Sequence, residues 1–130
     1  MEGNAIRLKP AVPILFVRDV AASAGFYRDR LGFAVDFLHG TPPFYGAVSR
    51  DGACLHLRRV TAPNFAVLAA TEVSLLLATI EVSDVGGLFR EYRGRDVPLA
   101  QGLVSQPWGG TDFHVRDPDG NVISFVSFPS

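Results

Sequence analysis

Phe113-His114-Val115-Arg116-Asp117-Pro118-Asp119-Gly120-Asn121-Val122-Ile123-Ser124-Phe125 reads as a strand, a tight turn and a returning strand. Side chains alternate across a strand, so Phe113, Val115, Ile123 and Phe125 share one wholly apolar face. That face suits packing against helices. His114 and Arg116 fall with Val122, Ser124 and Val126 on the other face, which is mixed. A mixed face reads either as a partly solvated sheet surface or, on a curved sheet, as the lining of a pocket.

Outward from this hairpin the same grammar recurs. Ala11 to Val17 reads as a first strand, with Pro13 suited to an edge or a strand start. Asp19 offers an N-cap, Val20 to Leu31 a helix, and Gly32 its stop. Phe33 to Leu38, Phe44 to Ser49 and Ala53 to Arg59 read as three strands, with punctuation at His39 to Pro43 and a hairpin signal at Asp51-Gly52. Thr61 to Glu72 reads as a linker with room for one short helix. The pattern then restarts. Leu75 to Val82 is a strand, Asp84 a cap, Val85 to Tyr92 a helix, and Pro98 to Val104 a strand before the Gln106 to Gly110 loop. Phe16-Val17-Arg18-Asp19-Val20 is echoed by Glu81-Val82-Ser83-Asp84-Val85. The expected fold is therefore α+β. It is one domain over 1–130, with module 1 about 8–60, a linker about 61–73 and module 2 about 74–128. The two β-α-β-β-β modules form a curved mixed sheet.

Composition narrows the function classes. A chain of 130 residues can bury a real core. A net charge of -1 gives no electrostatic footprint for nucleic acid. The single Cys54 makes no intrachain disulfide and fits a reducing compartment. Met1 to Ile6 does not read as a signal peptide, and polar residues interrupt Phe65 to Val82, so no membrane span is expected. A cytoplasmic protein is the expectation.

The chain resembles the vicinal oxygen chelate superfamily, the glyoxalase/bleomycin-resistance/dioxygenase group. The resemblance rests on Ala11-Val12-Pro13-Ile14-Leu15, Asp19-Val20, Phe26-Tyr27-Arg28-Asp29-Arg30-Leu31-Gly32-Phe33 and the turn Asp117-Pro118-Asp119-Gly120-Asn121. Within it, Val12-Pro13, Asp36-Phe37 and Gln106-Pro107-Trp108-Gly109 look most like the bleomycin-binding resistance proteins. Those are small homodimers that sequester a drug without altering it. The resemblance implies a homodimer with exchanged modules or N-terminal arms, and cavities at its interface.

Enzymes of the superfamily hold a divalent metal with side chains from four strands. The matching positions here are Val12, His56, Leu77 and Ser124. A single imidazole among them does not supply the three or four converging donors that such metals need. His56 with His114 would make a two-histidine site without a third partner. No metal and no cofactor are therefore expected, and catalysis is not the leading reading. The alternative is a divergent metal-dependent lyase, isomerase or dioxygenase. Cys54 reads as core rather than as a nucleophile.

What the resemblance leaves is a binder of a small aromatic or glycopeptide antibiotic-like molecule. Its candidate ligand-binding residues are Asp36, Phe37, Phe44, His56, Trp108, His114 and Ser124. Trp108 offers a broad π face from a Pro/Gly loop, or anchors that loop on the core. Phe37 and Phe44 match drug-contacting positions, though aromatic strand residues are usually core. Asp36 matches an acid that meets a cationic ligand, and reads equally as a solvated charge. His56 and His114 supply hydrogen bonds, or are satisfied, partly buried histidines. Ser124 replaces a carboxylate with a neutral hydroxyl. The near-neutral charge departs from the acidic bleomycin binders, and Gly25 falls at one of their acidic helix positions. Bleomycin itself is thereby placed in doubt.

Overall fold

Two aspartates start the two long helices in the same way. Asp19 has an extended backbone (φ -138°), and its carboxylate accepts the amide N–H of Ala22 at 3.0 Å. Asp84 (φ -140°) accepts that of Gly87 at 3.0 Å. Each satisfies one of the amides that a helix start leaves without a partner. The computed structural model describes residues 5–63 and 65–129. Met1 to Asn4, Asn64 of the linker and Ser130 lie outside the described residues.

The order is β1 (Ile14–Val17), α1 (Val20–Asp29), β2 (Ala34–Gly40), β3 (Pro43–Arg50), β4 (Ala53–Arg59), α2 (Phe65–Thr71), β5 (Ala78–Glu81), α3 (Val85–Gly94), β6 (Leu99–Ser105), β7 (Thr111–Arg116) and β8 (Val122–Ser127). They form two four-stranded sheets of one topology, β1-β4-β3-β2 and β5-β8-β7-β6, one from each β-α-β-β-β module. Each sheet is mixed: β1 with β4, and β5 with β8, run parallel, and the remaining pairs run antiparallel. The first strand starts at Ile14, later than Ala11, because pairing with β4 begins there. One further bond, from the His56 amide to the Pro13 carbonyl at 2.9 Å, precedes it. Pro13 thus adjoins an edge strand, where its missing donor costs nothing. The short helix allowed for in the linker is α2, which buries none of its described residues. No helix among the described residues is long and apolar enough to cross a membrane.

The apolar hairpin face does what its alternation implies. Phe113, Val115, Ile123 and Phe125 are all at most 2% exposed and join one core with Leu15, Val17, Val48, Leu55 and Leu57 of the first sheet. Burial of each such side chain contributes roughly 1.5–3 kcal/mol. Two fully buried tyrosines at matching helix positions then cross between the modules. Tyr27 of α1 donates its hydroxyl to Asp117 at 2.9 Å, and Tyr92 of α3 donates to the Leu31 carbonyl at 2.8 Å. Burial raises both phenols, Tyr92 to about 12, so both remain donors.

The Asp117 to Asn121 turn is the latch between the modules. Asp117 accepts the backbone amides of Asp119 and Asn121, the Asn121 side-chain amide and the Tyr27 hydroxyl, each at 2.9 Å. Asp119 accepts the Arg18 amide at 2.9 Å, and the Asn121 side chain donates to the Phe16 carbonyl at 3.1 Å. Gly120 has φ +84°, and a Cβ there would lie 2.9 Å from that of Ala66 in α2. Glycine is thus required both by the backbone and by the helix seated on the turn.

Candidate functional site

The first sheet packs one face on α1 and the second on α3, both within one shared core, and the candidate residues lie on the other faces. On the first sheet the register sets Ile14 beside His56, His56 beside Ala47, and Ala47 beside Phe37. Phe37 stacks on Tyr45 with ring centroids 6.3 Å apart and planes 18° apart. His56 meets both rings edge-on, at 6.0 Å and 5.4 Å, and its Nδ1 lies 2.8 Å from the Tyr45 hydroxyl. Phe37 is 45% exposed and Ile14 49%, so the patch is aromatic, apolar and open. Asp36 sits at a register irregularity beside it, exposed, and accepts the Ser49 hydroxyl at 3.0 Å. Phe44 makes its ring contact with His39, at 5.2 Å, rather than with Phe37.

The outer face of the second sheet is closed and polar. His114 lies directly across from Ser124, and Asp112 across from Val126, all of them buried. Asp112 Oδ1 accepts the side-chain amides of Gln101 and Gln106, each at 2.9 Å. Its Oδ2 faces His114 Nε2 at 3.2 Å. Burial pushes the Asp112 carboxyl up, but the bonds from Gln106, Gln101 and His114 outweigh it, and its pKa lies below the ordinary carboxylate value. Trp108 is half-exposed in the loop after β6, tilted against Phe128 at 5.8 Å, with its ring over Gly110.

The sequence-derived candidates thus divide between two surfaces. Asp36, Phe37 and His56 belong to the first sheet, and His114 and Ser124 to the second, with Trp108 beside the latter. Among the described residues no hydrogen bond or ring contact joins the two sets. The cleft of about 780 Å³ between β5, α3 and the β3–β4 turn contains none of them. Tyr45, Asp112, Gln101 and Gln106 were missed. Asp112 could have been found, because it lies two before His114 on one strand and so on the same face. The glutamines gave no periodic signal, since β6 is irregular on both sides of Gln101.

Of the four positions that match the superfamily's metal ligands, Leu77 pairs with Val122 on one side of Ser124, while His56 stands on the other sheet. Among the described residues no three His, Cys, Asp or Glu side chains come together as a set that could hold a metal ion. Cys54 is half-buried, and burial and the nearby Asp36 push its thiol up, which lowers its thiolate fraction.

Residues 7–125 match the family model described as the Glyoxalase/Bleomycin resistance protein/Dioxygenase superfamily. The chain belongs to this superfamily. It is 29% identical over 126 residues to the bleomycin resistance protein of Geobacillus stearothermophilus, covering 88% of this chain and 93% of the relative. The same values hold for a bleomycin resistance protein of Staphylococcus aureus. Among solved structures, the bleomycin-binding protein of bleomycin-producing Streptomyces verticillus, complexed with copper(II)-bleomycin, superposes with TM-score 0.75. It is 28% identical, and the match covers 96% of this chain and all (100%) of that one. A glyoxalase-related enzyme from Clostridium phytofermentans superposes nearly as well, with TM-score 0.74 at 16% identity over 99% of this chain and 100% of that one. The superfamily fold alone therefore does not separate binder from enzyme.

Proposed function

We propose that the protein binds and sequesters a small aromatic or glycopeptide antibiotic-like molecule without altering it. The carrying observation is the open aromatic patch of Phe37, Tyr45, His56 and Ile14, which a single chain leaves half-exposed. A flat ring system laid on it gains stacking and apolar burial. The cavity is completed in a homodimer, where the patch of one copy meets the outer face of its partner's second sheet, on which Trp108 is exposed beside the buried His114 and Ser124. Two features support exchange of the N-terminal arm: Ile6 and Leu8 are 93% and 96% exposed, and they precede an edge strand. The likeness to bleomycin resistance proteins supports a ligand of that kind.

Titration with bleomycin and a panel of planar antibiotics, read by Trp108 fluorescence, tests the reading. Saturable quenching is expected, with one ligand per site and unchanged ligand recovered afterwards. Light scattering should give a mass of twice 14.0 kDa. A monomer that binds none of the panel would sink both parts of the proposal.

A further inference from the structure

Ring stacking does not explain the arrangement around Asp112. Irregularities of β6 on both sides of Gln101 turn that side chain onto Asp112, and the Gln106 to Gly110 turn brings a second amide. Bulges commonly re-aim a side chain in this way. Both amides converge on Oδ1, which leaves Oδ2 for His114. A carboxylate is acceptor-only, so the imidazole nitrogen facing it carries a proton, and in the neutral ring Nδ1 is then the unprotonated one. Among the described residues Nδ1 of His114 makes no hydrogen bond. His114 stands across from Ser124 on the sheet face that also carries Val122 and Val126.

We propose that Asp112, Gln101 and Gln106 are positioning residues that hold His114 in its Nε2–H form, so that Nδ1 offers a lone pair to the ligand. The site then selects a ligand that presents an N–H or O–H donor at this point, such as an amide or amine. It rejects one that presents a carbonyl or carboxylate oxygen there, because two lone pairs would face each other in a site with little water. This deepens the binding role proposed above and rests on it for the ligand, but not for the state of the ring.

Asp112→Asn separates the two. Its oxygen can still accept from Gln101 and Gln106, which turns its NH2 toward His114 and forces the proton onto Nδ1. Imidazole nitrogen shifts are recorded on isotope-labelled wild type and variant at about pH 8, above the ordinary histidine range. The wild type is expected to show protonated Nε2 and bare Nδ1, and the variant the reverse. This wild-type spectrum needs no variant to fold, and a proton on wild-type Nδ1 overturns the inference. Metal-free bleomycin serves as the binding probe, and its affinity is expected to fall at least about tenfold in Asp112→Asn. Equal affinity with a reversed ring overturns the acceptor role. If the wild type binds no bleomycin while its ring is as expected, the sequestration reading fails for that drug and the fixed tautomer stands.

Discussion

The outer faces of the two sheets are built on one backbone plan and do opposite things. Counting from the helix caps Asp19 and Asp84, Ile14 corresponds to Thr79, and the strand partners then equate His56 with Ser124, Ala47 with His114 and Tyr45 with Asp112. In the first sheet a histidine on β4 leans on a phenol. In the second a histidine on β7 leans on a carboxylate. A phenol hydroxyl can donate or accept, so Tyr45 leaves the tautomer of a neutral His56 free, whereas Asp112 dictates that of a neutral His114. The first face is half-open and aromatic, and the second is buried and polar. The duplicated framework thus carries two unlike faces, one open and stacked, the other closed by directed hydrogen bonds.

The largest expected effect breaks the polar side of this contrast. Asp112→Ala removes the acceptor of two half-buried glutamine amides and of the buried His114, and should cost about 3 kcal/mol by denaturant unfolding. A loss under about 1 kcal/mol would mean that the network is solvated and the two faces are not different in kind. Next in size is Ser124→His, which copies the first module into the second. Ser124 is 1% exposed, so the added volume should cost about 1–3 kcal/mol. The reverse change, His56→Ser on the more open face, should stay below that.

Phe37→Ala sharpens the aromatic side. Stability should shift by no more than about 1 kcal/mol, while affinity for a planar ligand falls about tenfold. A fall in stability with no change in binding would assign Phe37 to packing instead.

The smallest effect is a pH dependence. Asp112 has a folded pKa below its ordinary value of 3.8, so it contributes stability above that pH, and the contribution is lost as pH falls through the folded pKa. Asp117 is the opposite case: burial, only partly offset by Asn121, Tyr27 and Asp119, raises its pKa. Its protonated form is favoured in the fold, so its contribution declines as pH rises from 3.8 through the raised value. Acid titration of Asp112→Asn should therefore show less stability lost below about pH 4 than wild type does. A steeper loss would refute the assignment of Asp112 as the stabilising carboxylate.

Much of the fold was legible because its signals are short-range. Alternation along Phe113 to Phe125 placed the core face, and the two Asp caps set both helix starts within a turn. The first strand was drawn too long at Ala11, because apolar residues continue past the last one with a partner on β4. The site was less legible. Phe37, His56, His114 and Ser124 were picked out by resemblance, but alternation could not say that they lie on two different sheets. Gln101 and Gln106 escaped because irregular strands and turns carry no period. The Asp117 turn was read as a signature, and its role as the latch appeared only with Tyr27, 90 residues away.

Local order along the chain therefore determined the paired modules, their caps, their hairpins and the apolar side of each strand. Those features depend on neighbours a few residues apart, which propensity and alternation report directly. Tertiary structure decided which outer face stayed open, which carboxylate took two amides, and which nitrogen of His114 was left bare. Each of these outcomes depends on which distant groups desolvate one another, and a buried donor or acceptor takes whatever partner the packing brings within about 3 Å.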